Sequence, residues 1–173
     1  MAKLKAPLNQ DDHIQGDKNA PIELVEYGDY QCTYCGDAHP TIKAIQSKMG
    51  KDLKFIFRNF PLTQTHSNAQ NAALAAESSA AQGKFWEMHD ILFENQDNLK
   101  EEDLYKYAEE IGLDVEKFKN DLKNKTYRDK VQTDFEGGIR SGVNSTPSFY
   151  INGEKHEVLD EKELLNYIKS VQY

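Results

Sequence analysis

The sequence predicts an α/β fold in which a small sheet is interrupted by an all-helical insertion. Three observations lead to this prediction. The chain begins as strand, helix and strand, residues 62–142 then show only helical periodicity, and strand-forming residues return at 146–153. With 173 residues, of which 38% are hydrophobic, the chain is long enough for a globular domain with a substantial core.

The first strand and the first helix meet at a pair of cysteines. "PIELVEYGDY" (residues 21–30) is rich in strand formers and ends in Gly-Asp. The segment after the cysteines has helical spacing, and Gly50 ends it. Pro40 lies inside this helix and is expected to kink it. The apolar residues that define the spacing are Ala38, Ile42, Ile45 and Met49.

A second strand follows directly. "LKFIFRNF" (residues 53–60) is strand-like and stops at Pro61. Because a strand, a helix and a strand succeed one another, we expect the two strands to pair in parallel through a right-handed crossover.

The inserted block is predicted to be helical throughout. Its segments are "NAQNAALAAESSAAQ", "KFWEMHDILFEN", "EEDLYKYAEEIG", "DVEKFKNDL" and "YRDKVQTDFEGGI". Apolar residues recur at helical spacing in them, and the acidic start and glycine end of the third are favourable to a helix. The apolar positions are Phe85, Met88, Ile91, Leu92, Phe118, Leu122, Val131, Phe135 and Ile139.

The sheet is predicted to be completed after the insertion. "TPSFYING" (residues 146–153) is a strand, and Asn152-Gly153 is a strong hairpin turn before "EKHEV". Asp160 with Glu163 resembles a capping box for a last helix. The apolar face of that helix is Leu164, Leu165, Ile168 and Val171.

Charge and hydropathy exclude several classes of function. The net charge of −8 disfavours nucleic acid as a partner. No apolar run approaches the ~20 residues of a membrane span, and the N-terminus lacks the apolar core of a signal peptide. We therefore expect a monomer that is cytoplasmic if the chain is full length, and periplasmic or extracytoplasmic if a leader has been removed.

Cys32 and Cys35 are the two cysteines of the chain, and a bridge between them would close too short a loop to stabilise the fold much. At the start of a helix, Cys32 would face unpaired amide hydrogens and the positive end of the helix dipole, which favour the reactive thiolate. Cys35, one turn further in, would be more buried. The spacing thus predicts that Cys32 attacks and Cys35 resolves a mixed disulfide. The uncharged Thr33 and Tyr34 between them help to set the Cys32 pKa.

A metal site and inert core cysteines are the alternatives. One C-x-x-C supplies two zinc ligands, whereas a closed site needs four. His39 could be a third ligand, but the sequence has no second cysteine pair and no paired histidine spacing. We therefore do not expect a metal site, and we interpret His39 as a partly exposed helix residue.

Glu26 lies six residues before Cys32 in what should be an interior strand. A buried carboxylate there is costly unless it has a task. Burial would raise its pKa, so that it could exchange protons with Cys35. The alternative is a glutamate at an edge or facing solvent.

Thr146-Pro147 stands at the entry to a strand, where proline is unusual. A cis bond would turn the backbone so that Thr146 faces an incoming peptide. Because cis forms are only ~5–6% of such bonds, spacing leaves the isomer open.

Together, "NAPIELVEYGDYQCTYCGDAHPTIKAI", "FIFRNFPL", "QGKFWEMHDILFENQ" and "GVNSTPSFYINGE" resemble the DsbA-like branch of the thioredoxin superfamily, from about Asp12 to the C-terminus. The resemblance implies a thioredoxin-like domain formed by residues 12–61 and 143–173, an inserted helical domain at 62–142 and an N-terminal extension at 1–11.

The resemblance also implies roles for single residues. Cys32 would be the nucleophile, Cys35 the resolving cysteine, Glu26 the buried acid and Pro147 the cis-proline. Thr146 would contact the substrate backbone, and we assign Thr33 and Tyr34 to substrate binding as well. The chain departs from many relatives in having Thr33 where proline is usual and Ser145 where glycine is common.

The function expected from this resemblance is thiol-disulfide exchange of the oxidase type with cysteines of protein or peptide substrates. The resemblance implies no metal or organic cofactor, and an unidentified redox partner would recycle the cysteine pair. A reductase or isomerase is the alternative within this chemistry. A binding module that uses an apolar groove while its thiols stay idle is the alternative outside it. A glutathione-conjugating relative is disfavoured because such members usually lack the intact cysteine pair.

Overall fold

A five-stranded sheet in the order β1-β3-β2-β4-β5 organises the protein in a computed structural model that describes residues 2–157 and 160–171. The strands are β1 His13–Gly16, β2 Ile22–Gly28, β3 Leu53–Asn59, β4 Ser148–Ile151 and β5 Glu154–His156. The helices are α1 Thr33–Met49, α2 Ala69–Ala80, α3 Phe85–Glu94, α4 Glu101–Glu110, α5 Val115–Lys123, α6 Arg128–Arg140 and α7 Glu161–Val171.

The central strand of this sheet is β2. It pairs in parallel with β3, with Ile22 opposite Leu53, and antiparallel with β4, with Glu26 opposite Phe149. The predicted parallel pair is therefore confirmed. Strand β1, which pairs antiparallel with β3, was not predicted.

Two apolar clusters lie on opposite faces of the sheet. Successive side chains of a strand point to opposite faces, and accordingly Leu24 belongs to one cluster and Val25 to the other. The larger cluster contains Phe55 and Phe57 together with buried residues of α1–α7. The inserted helices α2–α6 follow β3 in the chain, and each of them contributes to this core. The predicted α/β class, with a block of helices inserted between strands of the sheet, is thereby confirmed.

The N-terminal segment runs along the outer strand β5. The backbone amide of Leu4 donates to the carbonyl of Gly153 at 2.8 Å, and the amide of Lys155 donates to the carbonyl of Ala2 at 3.0 Å. Residues 2–4 thus form hydrogen bonds with the turn and the outer edge of the last hairpin.

Arg58 holds the next part of this segment against the sheet. Its guanidinium is buried and donates to both carboxylate oxygens of Asp12, at 2.8 and 2.7 Å. It also donates to the carbonyls of Ala6 and Pro7 and to the hydroxyl of Tyr27. A buried cation is tolerated in this position because all of these acceptors surround it.

The prediction for Ile139 is wrong. This side chain is 55% exposed, although it fits the helical spacing of α6. Near this end of the helix the close contact is made by glycine instead: a Cβ on Gly138 would lie 2.7 Å from the Phe60 ring and 3.0 Å from the Tyr27 ring. A close contact made by glycine carries no hydrophobic signal, so periodicity extended the buried face of α6 to Ile139, which lies outside it.

Within the described residues, the last hairpin and the last helix form as predicted. Asn152 and Gly153 both have positive φ, 48° and 86°, as the predicted tight turn requires. The Asp160 carboxylate accepts a hydrogen bond from the Glu163 amide at 3.1 Å, which caps α7. Val158, the last residue of the predicted "EKHEV" strand, lies outside the described residues, as does the side chain of Val171.

Pro40 lies inside α1 without ending the helix. Within residues 2–157 and 160–171, none of the helices has the length and apolar character needed to cross a bilayer.

Candidate active site

Cys32 lies where the loop after β2 becomes α1. It is the N-cap residue of this helix, in an extended conformation, and its carbonyl accepts the first helical hydrogen bond from the Gly36 amide at 3.1 Å. The Cys32 amide donates back to the Asp29 carbonyl, also at 3.1 Å. The sulfur is therefore fixed at the amino end of the helix, where backbone amides lack helical partners.

This environment lowers the pKa of Cys32 to about 5. The largest cause is a hydrogen bond from the Cys35 thiol, which outweighs the opposing effect of burial. Hydrogen bonds from the backbone amides of Cys35 and Tyr34 lower the pKa further. At neutral pH the Cys32 sulfur is thus an anion, which is the nucleophilic form of a thiol.

Cys35 has the opposite character. It is 1% exposed, and burial, together with the hydrogen bond to Cys32 and the nearby Glu26, raises its pKa well above the ordinary value. Both cysteines are free thiols here. One turn of helix therefore holds a thiolate and a thiol that donates to it.

Glu26 lies in the middle of the central strand and is 3% exposed. Its Oε1 has no hydrogen-bond partner within the described part of the chain. Burial raises the pKa of this carboxyl to about 8, and the charge on Cys32 raises it as well. The alternative of an edge or solvent-facing glutamate is excluded.

The bond between Thr146 and Pro147 is cis. The Thr146 carbonyl lies 3.5 Å from the Cys32 sulfur, so this loop and the helix start meet at the reactive atom. The Thr146 hydroxyl is buried without a partner among the described residues. Ser145 is not one of the residues with positive φ, so serine fits where relatives commonly have glycine.

A groove of about 260 Å³ lies beside this loop. Tyr34 borders it, and its side chain is 67% exposed. Thr33 is exposed next to it. The remaining lining residues are Ser145, Thr146, Pro147, Ser148, Lys155, His156 and Glu157.

The interpretation of His39 as a partly exposed residue is wrong. The side chain is 8% exposed because its ring packs against Phe93 and His89, with centroids 5.3 and 5.7 Å away. Its Nε2 faces Asp90 at 3.7 Å, and burial lowers its pKa. His39, His89 and Asp90 are close enough to hold a metal ion, but neither cysteine belongs to that group.

Asp29 orders the loop before Cys32, a role that was not predicted. Its carboxylate is 1% exposed and accepts hydrogen bonds from the amide of Gln31 at 2.8 Å and the amide of Leu62 at 2.9 Å. The Nδ1 of His66 lies 2.8 Å from the same carboxylate. The Gly-Asp at the end of the strand was the available signal, but it indicated only where the strand stops.

Gln96 was missed as well. Its side-chain amide donates to the carbonyls of Tyr30 and Cys32, at 3.0 and 2.8 Å. It follows α3, far from the cysteines in sequence, and no periodicity marks it. A side chain from the inserted helices thus contacts the backbone of the reactive residue.

Comparison with solved structures gives neighbours over nearly the whole chain. BdbD from Bacillus subtilis, in its oxidised form, has a TM-score of 0.86 and 27% identity, covering 98% of this chain and 97% of that one. The alpha-DsbA1 protein of Wolbachia pipientis has a TM-score of 0.80 and 25% identity, covering 96% and 93%. MdbA, a thiol-disulfide oxidoreductase from Corynebacterium diphtheriae, has a TM-score of 0.71 at 17% identity, covering 88% and 85%, and shares the fold.

Comparison of sequences gives a family and a set of longer relatives. The family model described as Thioredoxin matches residues 8–170. A protein named Na(+)/H(+) antiporter NhaA 1 from Mycobacterium sp. (strain KMS) is 44% identical over 148 residues, which are 84% of this chain and 24% of that protein. NhaA 3 of Salinispora tropica is 40% identical, covering 88% and 24%. The chain spans about a quarter of the length of the curated relatives it matches.

Proposed function

We propose that this chain, which belongs to the thioredoxin family and has the DsbA-like form of its fold, exchanges disulfides with cysteines of protein substrates. The observation that carries the proposal is the opposite ionisation of two thiols one helical turn apart. The Cys32 pKa lies at about 5, whereas that of Cys35 is raised well above its ordinary value.

The reaction follows from this difference. With Cys32 and Cys35 joined in a disulfide, a substrate thiolate attacks the Cys32 sulfur, and the Cys35 sulfur leaves with the electron pair and takes up a proton. The mixed disulfide is then cleaved when a second substrate thiolate attacks the substrate sulfur and Cys32 leaves. Cys32 is a good leaving group because its thiolate is stable. The substrate gains a disulfide, and the cysteine pair gains two electrons and one proton, which Cys35 holds. The other substrate proton passes to solvent, because Cys32 stays a thiolate at neutral pH.

Glu26 is the proton carrier in this proposal. It is buried, and its Oε1 has no hydrogen-bond partner in the described chain. The charge of Glu26 also raises the pKa of Cys35, so the two groups interact electrostatically. A carboxyl with a pKa of about 8 gives and takes protons readily at neutral pH, when Cys35 must be protonated or deprotonated. No metal or organic cofactor takes part in the proposed exchange.

The groove beside the cis-proline is the proposed substrate site. An extended peptide lying along Thr146 and Pro147 would bring its cysteine to the Cys32 sulfur, which is 3.5 Å from the Thr146 carbonyl. The exposed Tyr34 and Thr33 would contact the residues on the other side of that cysteine. A groove this short and open suits an unfolded or flexible segment better than a small molecule.

We propose the oxidase direction. A Cys32 pKa two units below pH 7 stabilises the reduced form and so raises the potential, by an upper limit of about 60 mV at ~30 mV per unit. A separate redox partner would then reoxidise the pair. Reductase or isomerase activity is the alternative direction of the same chemistry.

The experiment is to compare the wild type with Cys32→Ser and Cys35→Ser. We expect the wild type to oxidise a reduced two-cysteine peptide, Cys32→Ser to be inactive, and Cys35→Ser to accumulate mixed disulfides on non-reducing gels. Full activity without Cys32 contradicts the proposal. A Cys32 thiol with the pKa of a free cysteine would instead support a binding module with idle thiols.

The direction is measured by equilibrating the cysteine pair with glutathione. A potential near −120 mV supports the oxidase, and one near −270 mV assigns a reductase.

A further inference from the structure

We propose that Gln96 is a positioning residue that holds Cys32 in its reactive state, and that Gly36 is glycine because the Gln96 amide occupies the space of a side chain there. The relevance of this contact to turnover rests on the proposed function. Its effect on the thiol itself does not.

The contact joins the inserted helices to the loop that carries the cysteine. Gln96 lies two residues beyond α3, and its Nε2 donates to the Tyr30 carbonyl at 3.0 Å and to the Cys32 carbonyl at 2.8 Å. The geometry fits two hydrogen bonds from one NH₂ group, one to each carbonyl.

The second of these bonds acts on the reactive residue. The Cys32 carbonyl also accepts the Gly36 amide at 3.1 Å, so two donors orient the peptide group at the start of α1. A donor on this carbonyl partly neutralises its negative end, which lies in the same residue as the thiolate. Without Gln96, the peptide group is held less firmly and the negative end is less compensated, so we expect the thiolate to be less stable.

Gly36 provides the space for the amide. An ideal Cβ on Gly36 would lie 2.0 Å from Oε1, 2.5 Å from Cδ and 2.9 Å from Nε2 of Gln96. All three atoms belong to the end of a flexible side chain, which would rotate away instead of displacing the helix. The substitution Gly36→Ala should therefore break the same two hydrogen bonds without any change at Gln96.

The first test removes the donor and keeps the volume. In reduced Gln96→Met, we expect iodoacetamide to alkylate Cys32 at pH 5 at least threefold more slowly than in the wild type, because its titration moves to higher pH. The equilibrium with glutathione should move at least threefold toward the Cys32–Cys35 disulfide. Unchanged profiles in both measurements overturn the proposal.

The matched control is Gln82→Met. The Gln82 side chain also lies among the inserted helices and makes two hydrogen bonds to backbone, with the amide of Asp114 at 2.8 Å and its carbonyl at 3.1 Å. Gln82→Met should lower the melting temperature about as much as Gln96→Met does, and it should leave the pH profile of Cys32 alkylation unchanged. If Gln82→Met shifts the profile as much as Gln96→Met, the effect is general loosening, and the positioning role is refuted.

The second test is a double-mutant cycle. Gly36→Ala in the wild type should reproduce the slower alkylation, whereas in Gln96→Ala, where the space is already empty, it should add no further change. Additive effects of the two substitutions contradict the assignment of Gly36. The alkylation readout needs no substrate, so it remains decisive even if the chain fails to oxidise peptides.

Discussion

Replacement of the buried Glu26 by glutamine should make the protein more stable at neutral pH and slower in disulfide exchange. The folded protein holds this carboxyl at a pKa of about 8, whereas its ordinary value is 4.5. The unfolded chain releases the proton more easily than the folded one does. Between pH 4.5 and pH 8 the folded state therefore binds more protons, and stability falls as pH rises.

The size of the effect follows from these two values. A pH of 7 is 2.5 units above the ordinary carboxyl pKa of 4.5 and still below the folded-state value of about 8. At ~1.4 kcal/mol per unit, keeping the proton on Glu26 therefore destabilises the folded state by about 3 kcal/mol. Glutamine carries no charge at any pH and avoids this penalty. Its amide is itself buried and lacks obvious partners, which costs about 1–2 kcal/mol. The net gain at pH 7 should thus be about 1–2 kcal/mol, and at pH 4.5 it should vanish or change sign.

The assay is urea unfolding of reduced protein, followed by circular dichroism at pH 4.5, 6, 7 and 8.5. Glu23→Gln is the matched control, because it makes the same chemical change three residues earlier in β2. Glu23 is paired with Lys54 at 3.6 Å near the surface, so the control should change stability by less than about 1 kcal/mol.

The stability difference between Glu26→Gln and the wild type also depends on whether Cys32 and Cys35 are reduced or joined in a disulfide. The Cys32 thiolate contributes to the raised pKa of Glu26, and a Cys32–Cys35 disulfide removes that charge. The gain from Glu26→Gln should therefore be smaller in the oxidised protein. A difference between variant and wild type that is independent of pH would refute the reasoning, because it would mean that Glu26 is ionised at its ordinary pKa in the folded state.

Three other outcomes test separate parts of the structure. In the reduced wild type, alkylation followed by mass spectrometry should give a midpoint near pH 5 for Cys32 and no reaction of Cys35 at neutral pH; a Cys32 midpoint above pH 8 is incompatible with the site as described. Arg58→Met should lower the free energy of unfolding by about 3–5 kcal/mol because it leaves Asp12 buried without its partner, and a loss below about 1 kcal/mol would mean that the pair is dispensable. Tyr34→Ala should raise the KM for a peptide substrate about three- to tenfold while changing stability by less than about 0.5 kcal/mol, since the ring is largely exposed; an unchanged KM would remove Tyr34 from the substrate site.

The parts of the fold that could be predicted are those with strong local signals. The strands around the cysteines are long and apolar, the inserted helices repeat at helical spacing, and Asn152-Gly153 is a specific turn signal. The cysteine pair could be found because its spacing carries the chemistry by itself. Strand β1 was missed because it has only four residues, "HIQG", and is held by its antiparallel pairing with β3, not by its own sequence.

The parts that could not be predicted are contacts between distant segments. Asp29 meets Leu62 and His66, and Gln96 meets Cys32, through hydrogen bonds across 33 to 64 residues of sequence. Polar side chains that bond to backbone have no periodicity and no motif. His39 was misplaced for a related reason: its burial is caused by rings of α3, which the spacing of its own helix does not report.

The hydrogen bonds from residues 2–4 to the last hairpin limit how a substrate can bind. A strand at the border of a sheet normally offers free amides and carbonyls onto which another extended chain can add. Here the amide of Lys155 and the carbonyl of Gly153 are already taken by Ala2 and Leu4. For the proposed function, this means that a substrate peptide would have to displace residues 2–4 to extend the sheet at this border. The occupied border therefore supports the proposal that the substrate lies in the groove beside Pro147.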